Sequence, residues 1–168
     1  MINFKAVTCL NKCLDDPALK GMFEISDCQL PENVKTKSDI GEDSEFNSTL
    51  RSFMNNKDLV IGEVDLNGQK YKSGDVIVIK AFDRDNLLVG VIQTILVKEN
   101  GIYFVVIRYN AKRNKLGYFV TDSQVQKSFF QNASCLADYK PLIMHGTLTK
   151  FKFALHHYIS ISHSSDLS

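Results

Sequence analysis

Residues 71–80 read YKSGDVIVIK, residues 87–92 read LLVGVI and residues 102–109 read IYFVVIRY. Valine, isoleucine and aromatic residues dominate all three stretches, and they favour β-strands because their side chains pack well on a pleated, half-buried surface. The segments between the stretches are short and contain the polar residues and glycine that form tight turns. The pattern predicts three consecutive antiparallel strands joined by hairpins.

Further strands are predicted on both sides of these three. Asn67-Gly68, which follows residues 59–66, favours a hairpin turn whose two central residues have positive φ. After the third strand we predict a basic loop at residues 111–116, a short strand at residues 117–120 and one or two closing strands within residues 151–161. The predicted fold class is mainly β, with a small antiparallel barrel formed by residues 59–168.

The strands also predict where the chain bends and where its core lies. Gly90 lies in a strand that is apolar on both faces, where a missing side chain weakens pairing unless the chain must turn sharply. Closing a small barrel requires such bends. Alternation along adjacent strands predicts a buried core. Its members are Val76, Val78, Val91, Ile95, Phe104, Val106 and Phe119.

Residues 1–58 are predicted to be irregular and partly helical. Apolar residues from Phe4 to Leu14 recur at roughly helical spacing before Pro17, and the residue that precedes a proline is pushed out of the helical conformation. Charged and small polar residues dominate residues 31–49, which indicates an exposed loop. A short helix is then predicted from the spacing of Phe46, Leu50, Phe53 and Met54.

Composition bounds the class of protein. The 168 residues are 44% hydrophobic, which suffices for a packed core and favours one domain with at most an appendage. No run of 18 apolar residues is present, so no segment is predicted to span a membrane. The first residues lack the basic and then apolar pattern of a secretion signal. We therefore predict an intracellular protein, nuclear or cytoplasmic, with reduced cysteines.

Charge is distributed unevenly along the chain. Residues 1–58 carry seven Lys and Arg against ten Asp and Glu, whereas residues 59–168 carry thirteen against nine. The predicted barrel therefore has a net charge of +4, and this excess supports weak attraction to a polyanion.

No catalytic site is predicted. An active site needs a nucleophile beside a base, or paired carboxylates held in a cleft. Asp83 and Asp85 lie at a predicted hairpin tip, where both carboxylates are solvated, and no serine lies in a nucleophile-elbow context. We accordingly predict that the chain is not an enzyme and carries no cofactor.

The cysteines raise the question of a zinc site. Cys9, Cys13 and Cys28 could bind zinc if Cys135 or a histidine completed the tetrahedron. Their spacing lacks the two-residue gap typical of zinc knuckles, and free cysteines commonly pack as small apolar residues. The adjacent residues His156-His157 would point to opposite faces of a strand. We predict no bound metal.

The predicted contact surface is a basic loop around residues 108–115. Cationic side chains are concentrated there beside tyrosine rings, a combination that single-stranded nucleic acids and phosphates can use. The candidate binding residues are Arg108, Tyr109, Lys112, Arg113, Lys115 and Tyr118. Five aromatic residues, Tyr109 among them, could form a cage for methylated lysine, although alternating aromatics in strands usually pack inwards. Those positions are Tyr71, Phe82, Tyr103, Tyr109 and Phe119.

Part of the chain resembles the barrel of the bromo-adjacent homology (BAH) domains. Residues 71–78 (YKSGDVIV) are similar to that family's Tyr-x-x-Gly-Asp-x-Val strand, residues 90–95 (GVIQTI) to its Ile-x-x-Ile strand and residues 103–109 to its Val-x-Val-x-Trp-Tyr strand. Tyr109 stands at the tryptophan position, and residues 110–114 replace the usual Arg-Pro-Glu stretch. Other SH3-like barrels have a similar order and spacing of strands. The resemblance implies an SH3-like or BAH-like barrel that serves as a chromatin or peptide-binding scaffold.

Two functions follow from these observations. The first is a non-catalytic protein- or peptide-interaction module, with chromatin association as the setting that the resemblance implies. The second is a nucleic-acid-binding domain that uses the basic loop. Affinity that falls steeply with salt concentration would favour the second.

Overall fold

The computed structural model describes residues 34–66 and 68–156, and gives the backbone alone for residues 122–127. Strand β1 (Lys35–Thr36) precedes a 3-10 turn at Lys37–Asp39 and helix α1 at Glu45–Phe53. The strands that follow in this part of the chain are β2 (Leu59–Ile61), β3 (Glu63–Leu66), β4 (Gln69–Lys72), β5 (Val76–Ala81), β6 (Asn86–Lys98), β7 (Gly101–Arg113), β8 (Phe119–Asn132), β9 (Asp138–Leu142), β10 (His145–Thr147) and β11 (Lys150–Phe153). The predicted mainly β fold class is confirmed, because an antiparallel sheet curls into a half-barrel beside one short helix.

One long strand, β6, organises the sheet. It pairs with β7 along nearly its whole length, and its other edge pairs first with β5 and then with β2. Beyond β7 the order is β8, β11 and β10. The short strands β9 and β1 pair with β5 and β2, and β3 and β4 form a separate hairpin.

An extra residue at Gln93 exchanges the two faces of β6. Ile92 lies opposite Val106 and Thr94 lies opposite Val105, so Gln93 has no counterpart in β7. In a regular strand Val91 and Ile95 would share a face, since they are four residues apart. Bulges of this kind bend a strand and increase its twist, which favours a curled sheet.

The buried core confirms the sequence prediction and divides it into two clusters. All seven residues predicted to be buried are at most 2% exposed. Ile95, Phe104 and Val106 pack with the β3–β4 hairpin. Val76, Val78, Val91 and Phe119 pack on the other face, with β11. The predicted single set of inward positions is therefore split, because the bulge at Gln93 reverses the alternation of β6.

The segment before β2 packs on the sheet. Helix α1 begins after Ser44, whose Oγ accepts a hydrogen bond from the Asn47 amide at 3.1 Å. Leu50 and Met54 are buried against Leu96 and the neighbouring strands. The short helix predicted here is confirmed, whereas the exposed loop predicted at residues 31–49 is partly wrong, since β1, the 3-10 turn and the start of α1 lie within it.

The loop predicted at residues 111–116 is also partly wrong. Strand β7 continues to Arg113, with Ala111 buried and Lys112 exposed, as expected of a half-buried strand. Strand β8 likewise extends far past the predicted residue 120. Its register against β7 shifts at three places, and its sequence TDSQVQKSF lacks the regular alternation that predicts a strand.

Gly90 has a packing role in this sheet. A Cβ at this position would lie 2.9 Å from Cβ of Val106 and 3.1 Å from Cδ1 of Ile79. Such distances are shorter than favourable carbon contacts. The absent side chain therefore lets β5, β6 and β7 pack closely.

Parts of the sequence-based predictions concern residues outside the described ranges. The first predicted helix, Cys9, Cys13, Cys28, Asn67, His157 and the end of the predicted closing strand belong to this group. The boundary predicted near residue 58 stays a prediction. Among the described residues no helix is long and apolar enough to cross a membrane.

Candidate ligand-binding face

The six residues predicted as a binding site do not form one surface. Side chains of β7 alternate between the faces of the sheet, so Arg108 and Lys112 lie on one face and Tyr109 lies on the other. Of the remaining three, Arg113 ends β7, Lys115 lies in the turn that follows, and Tyr118 directly precedes β8.

Tyr109 is a core residue, which corrects its predicted role as a contact ring. Its side chain is 1% exposed, and its ring packs edge-to-face against Phe151 with centroids 5.1 Å apart. The hydroxyl donates a hydrogen bond to the Leu148 carbonyl at 2.6 Å. Burial raises the pKa of this hydroxyl.

The five aromatic residues considered for a methyl-lysine cage do not assemble. Tyr71 belongs to one core cluster, and Tyr109 and Phe119 belong to the other. Tyr103 is half-buried against the residues that pack under α1. Phe82 is exposed at the end of β5. The preference of strand aromatics for the core accounts for this separation.

A different arrangement brings cations together on the outer face of the sheet. Residues directly opposite each other in an antiparallel pair share a face. Lys112 lies opposite Val120, and Val120 lies opposite Lys152, so the two lysines are two strands, or about 10 Å, apart. We call the patch formed by Lys80, Arg108, Lys112 and Lys152 the basic face.

Lys80 joins this patch through β6. It lies opposite Leu88, which lies opposite Asn110 of β7. Asn110 is two residues from both Arg108 and Lys112, so all these side chains are on one side of the sheet. The other side of the same strands holds the core cluster with Val78 and Phe151, and the basic face is therefore the outer one.

Three of the four cations lie over aromatic rings. The Lys80 ammonium is 5.3 Å from the ring centroid of Phe82, and the Lys152 ammonium is 5.8 Å from that of Tyr118. The Arg108 guanidinium carbon lies 3.3 Å from the ring centroid of Phe129. Attraction between a cation and the negative face of a ring helps to position these side chains.

The four cations have no acidic partner among the described residues. The two ion pairs of this part of the chain are Arg51 with Glu42 and Lys98 with Asp58, both near α1. Burial lowers the pKa of Arg108, and its Nε is enclosed without a hydrogen-bond partner among the described side chains. The exposed ammonium groups of Lys80, Lys112 and Lys152 therefore remain available to a ligand, whereas Arg108 is half-buried.

One carboxylate lies close enough to influence the edge of this patch. Asp83 accepts hydrogen bonds from the Asn86 side chain and the Asp85 amide, and these bonds, with a smaller attraction to Lys112, lower its pKa. The side chain thus stabilises the hairpin turn, where Oδ1 accepts three hydrogen bonds at 2.7–2.8 Å and Oδ2 accepts a fourth at 2.7 Å.

Side chains that could hold a metal ion do not cluster among the described residues. No group of three His, Cys, Asp or Glu side chains is placed to hold a metal ion within residues 34–66 and 68–156. Cys135 and His156 are exposed there. A cleft of about 470 Å³ near the end of α1 is lined by Asp58 and Lys98, which are already paired with each other.

No protein-family model, curated protein or solved structure matches this chain. The resemblance to bromo-adjacent homology and other SH3-like barrels therefore stays a prediction.

Sequence reasoning missed Lys80, Lys152 and the ring of Phe129, and it considered Phe82 only for the methyl-lysine cage. The pattern Lys150-Phe151-Lys152-Phe153 alternates cationic and aromatic residues, which indicates a strand with a basic outer face. That signal identifies Lys152 as exposed. It does not show that Lys112 is its neighbour, because strand pairing across β8 is not encoded locally.

Proposed function

We propose that this chain is a non-catalytic binding module whose basic face binds an anionic polymer. The observation that carries the proposal is the gathering of Lys80, Arg108, Lys112 and Lys152 on one outer face without acidic partners among the described residues. Exposed like charges repel each other and do not stabilise a fold. A ligand with closely spaced negative charges removes that repulsion and gains charge-assisted hydrogen bonds.

Three described cations near α1 have structural partners, and they contrast with those of the basic face: Lys37, Arg51 and Lys98. The Lys37 ammonium donates to the Met54 carbonyl at 2.7 Å, and Arg51 donates to the Ile40 carbonyl at 2.6 Å. Both interactions hold the end of α1 to the segment before it. The cations of the basic face instead contact rings that are themselves partly exposed, such as Phe82 and Tyr118.

The proposal covers both functions predicted from the sequence. An acidic protein segment and a nucleic acid both supply the required negative charge. The predicted protein-interaction module stays a prediction, with an acidic segment as its partner. Chromatin association and a nuclear or cytoplasmic location also stay predictions. The contact surface moves from the loop around residues 108–115 to the sheet face that Arg108 and Lys112 share with Lys80 and Lys152.

Binding to heparin and to a polyglutamate peptide tests the proposal. We expect the parent protein to bind at least one of them at low ionic strength, with affinity that falls steeply as salt is added. Lys112→Glu/Lys152→Glu should weaken this binding by more than about tenfold, since it removes two contacts and adds repulsion.

The matched control is Lys35→Glu/Lys57→Glu, which makes the same change in net charge at two exposed lysines away from the basic face. We expect it to bind within about threefold of the parent, because a distant charge is screened. Equal losses in the two variants would show a net-charge effect only. Absence of binding to both ligands at low salt would overturn the proposal.

A further inference from the structure

We infer that the anionic polymer is a single-stranded nucleic acid, whose bases stack on Phe82 and Tyr118. The inference rests on the proposed function and adds a role for the two rings. Phe82 is 52% exposed and Tyr118 is 45% exposed, although both side chains are large and aromatic. Each ring lies beside a cation of the basic face.

The two rings lie on the same side of the sheet as the cations. Phe82 is two residues after Lys80, and its amide donates to the Asn86 carbonyl at 3.0 Å, which places it opposite the first residue of β6. Tyr118 is two residues before Val120, whose outer-face position is set by its pairing with Lys112 and Lys152. Alternation then places both rings on the outer face.

Lys112 lies between the rings. Three strand spacings across the sheet, from β5 through β6 and β7 to β8, and two residues along β8 separate the two rings by about 16 Å. A chain that crosses the strands would therefore meet a ring, then the Lys112 ammonium, then the second ring beside Lys152. This sequence of aromatic and cationic groups matches the ring platforms and basic groove by which proteins hold single strands without base-specific contacts.

Ring stacking distinguishes single strands from the other candidate ligands. Every unpaired base presents a flat face to an exposed ring, whereas the faces of bases in a duplex are already stacked on each other. An acidic peptide or a sulfated sugar has charge but no flat base. Charge alone therefore predicts binding of all three classes, and the rings predict a preference for one.

The test compares one labelled single-stranded oligonucleotide, the duplex of the same length, heparin and polyglutamate at a fixed low salt concentration. The diagnostic variant is Phe82→Leu/Tyr118→Leu, which removes both rings and keeps apolar volume at exposed positions. We expect its affinity for the single strand to fall about tenfold or more, with affinity for heparin unchanged within about twofold. Circular dichroism confirms that the variant is folded.

Tyr139→Leu serves as the matched control. Tyr139 is equally exposed, but its hydroxyl donates to the Ser134 carbonyl in the loop after β8, so the ring has a local structural role. We expect this variant to bind the single strand like the parent.

The outcomes separate the inference from the proposed function. Binding of heparin, duplex and single strand with equal affinity, unaffected by the ring substitutions, would overturn the inference and leave the proposed function intact. Binding of polyglutamate without nucleic acid would do the same. Failure of every polyanion to bind would overturn both.

Discussion

The ammonium group of Lys98 lies 2.6 Å from Oδ2 of Asp58, and both side chains are largely buried. The same ammonium donates a hydrogen bond to the backbone carbonyl of Phe53 at 2.8 Å and lies 4.7 Å from the centroid of the Phe53 ring. Asp58 also accepts a hydrogen bond from the Asn55 amide at 2.7 Å. One cation at the end of β6 thus fixes the connection from α1 to β2.

Replacing Lys98 should strongly destabilise the fold. Lys98→Met leaves the Asp58 carboxylate buried without its cation, which we expect to cost about 3 kcal/mol in the free energy of unfolding measured with urea. Asp58→Asn/Lys98→Met should recover part of that loss, since no buried charge remains. Additive effects of the two single substitutions would show that the two side chains do not interact.

Phe104 should be among the costliest core positions to truncate. Its side chain is fully buried, and its ring centroid lies 5.0 Å from that of Tyr71. Phe104→Ala should lower the free energy of unfolding by about 3–5 kcal/mol through lost contacts and a residual cavity. Phe82→Ala, at an exposed ring, provides the comparison and should cost less than about 1 kcal/mol. An unchanged melting temperature for Phe104→Ala would contradict the strand register described above.

Gly90→Ala should destabilise the protein although both residues are small. The added methyl group would lie 2.9 Å from Cβ of Val106, and overpacking of this kind costs about 1–3 kcal/mol. Chemical denaturation of Gly90→Ala, Val106→Ala and the double variant measures the coupling between them. We expect the double variant to lose somewhat less stability than the two single losses combined, because Val106→Ala removes Cγ2, which would lie 3.0 Å from the added methyl group, while the contact with Cβ stays.

Alkaline pH should destabilise the fold through Tyr71. Burial, and secondarily the negative charge of Asp138, raises the pKa of Tyr71 from 10.0 to about 12. Below the unfolded-state pKa this tyrosine is neutral in both states, and the stabilisation is fully present. As the pH rises from about 10 to about 12 the unfolded state releases the proton first, so about 2–3 kcal/mol of stability is lost.

Tyr71→Phe tests this pH dependence. The variant should lose some stability at neutral pH, since the Tyr71 hydroxyl donates to the Tyr139 carbonyl. Its further loss between about pH 10 and about pH 12 should be smaller than that of the parent. A residual slope is expected from Tyr109, whose pKa burial also raises. Parallel stability profiles for parent and variant would refute the assignment.

Single charge reversals should distinguish the basic face from the turn after β7. Lys152 lies on the face, whereas Lys115 lies in the turn and is exposed. Lys152→Glu should weaken polyanion binding about tenfold and Lys115→Glu about threefold or less, with melting temperatures near that of the parent. The reverse order would return the contact surface to the loop predicted from the sequence.

Local sequence patterns identified most of the strands and turns. Alternating apolar residues set the strands around Val76, Val91 and Phe104, and the turn residues at 83–86 and 99–101 lie in the hairpins that join them. These features depend on neighbours within a few residues, which is why they can be recognised without the fold. The polar strand β8 escaped recognition because its pairing with β7 is irregular and its residues do not alternate.

The candidate ligand-binding face could be predicted only in part. Arg108 and Lys112 were recognised because cationic residues cluster in this segment. They share a face because they are four residues apart in one strand, each two residues from Asn110. Tyr109 was assigned to the surface, but the hairpin of β10 and β11 covers it through Phe151 and the Leu148 carbonyl. That contact joins segments that are about forty residues apart, and such long-range contacts leave no local signal.

The sequence by itself determined that this chain forms antiparallel strands with a short helix before them, because alternation, turn residues and helical spacing act over a few residues. Only the tertiary structure decided which side of each strand faces solvent and which cations become neighbours. The extra residue at Gln93 exchanges the faces of β6, and the pairing of β11 with β8 brings Lys152 beside Lys112. Register and bulges arise from pairing between distant segments, and a shift of one residue reverses every side chain of a strand.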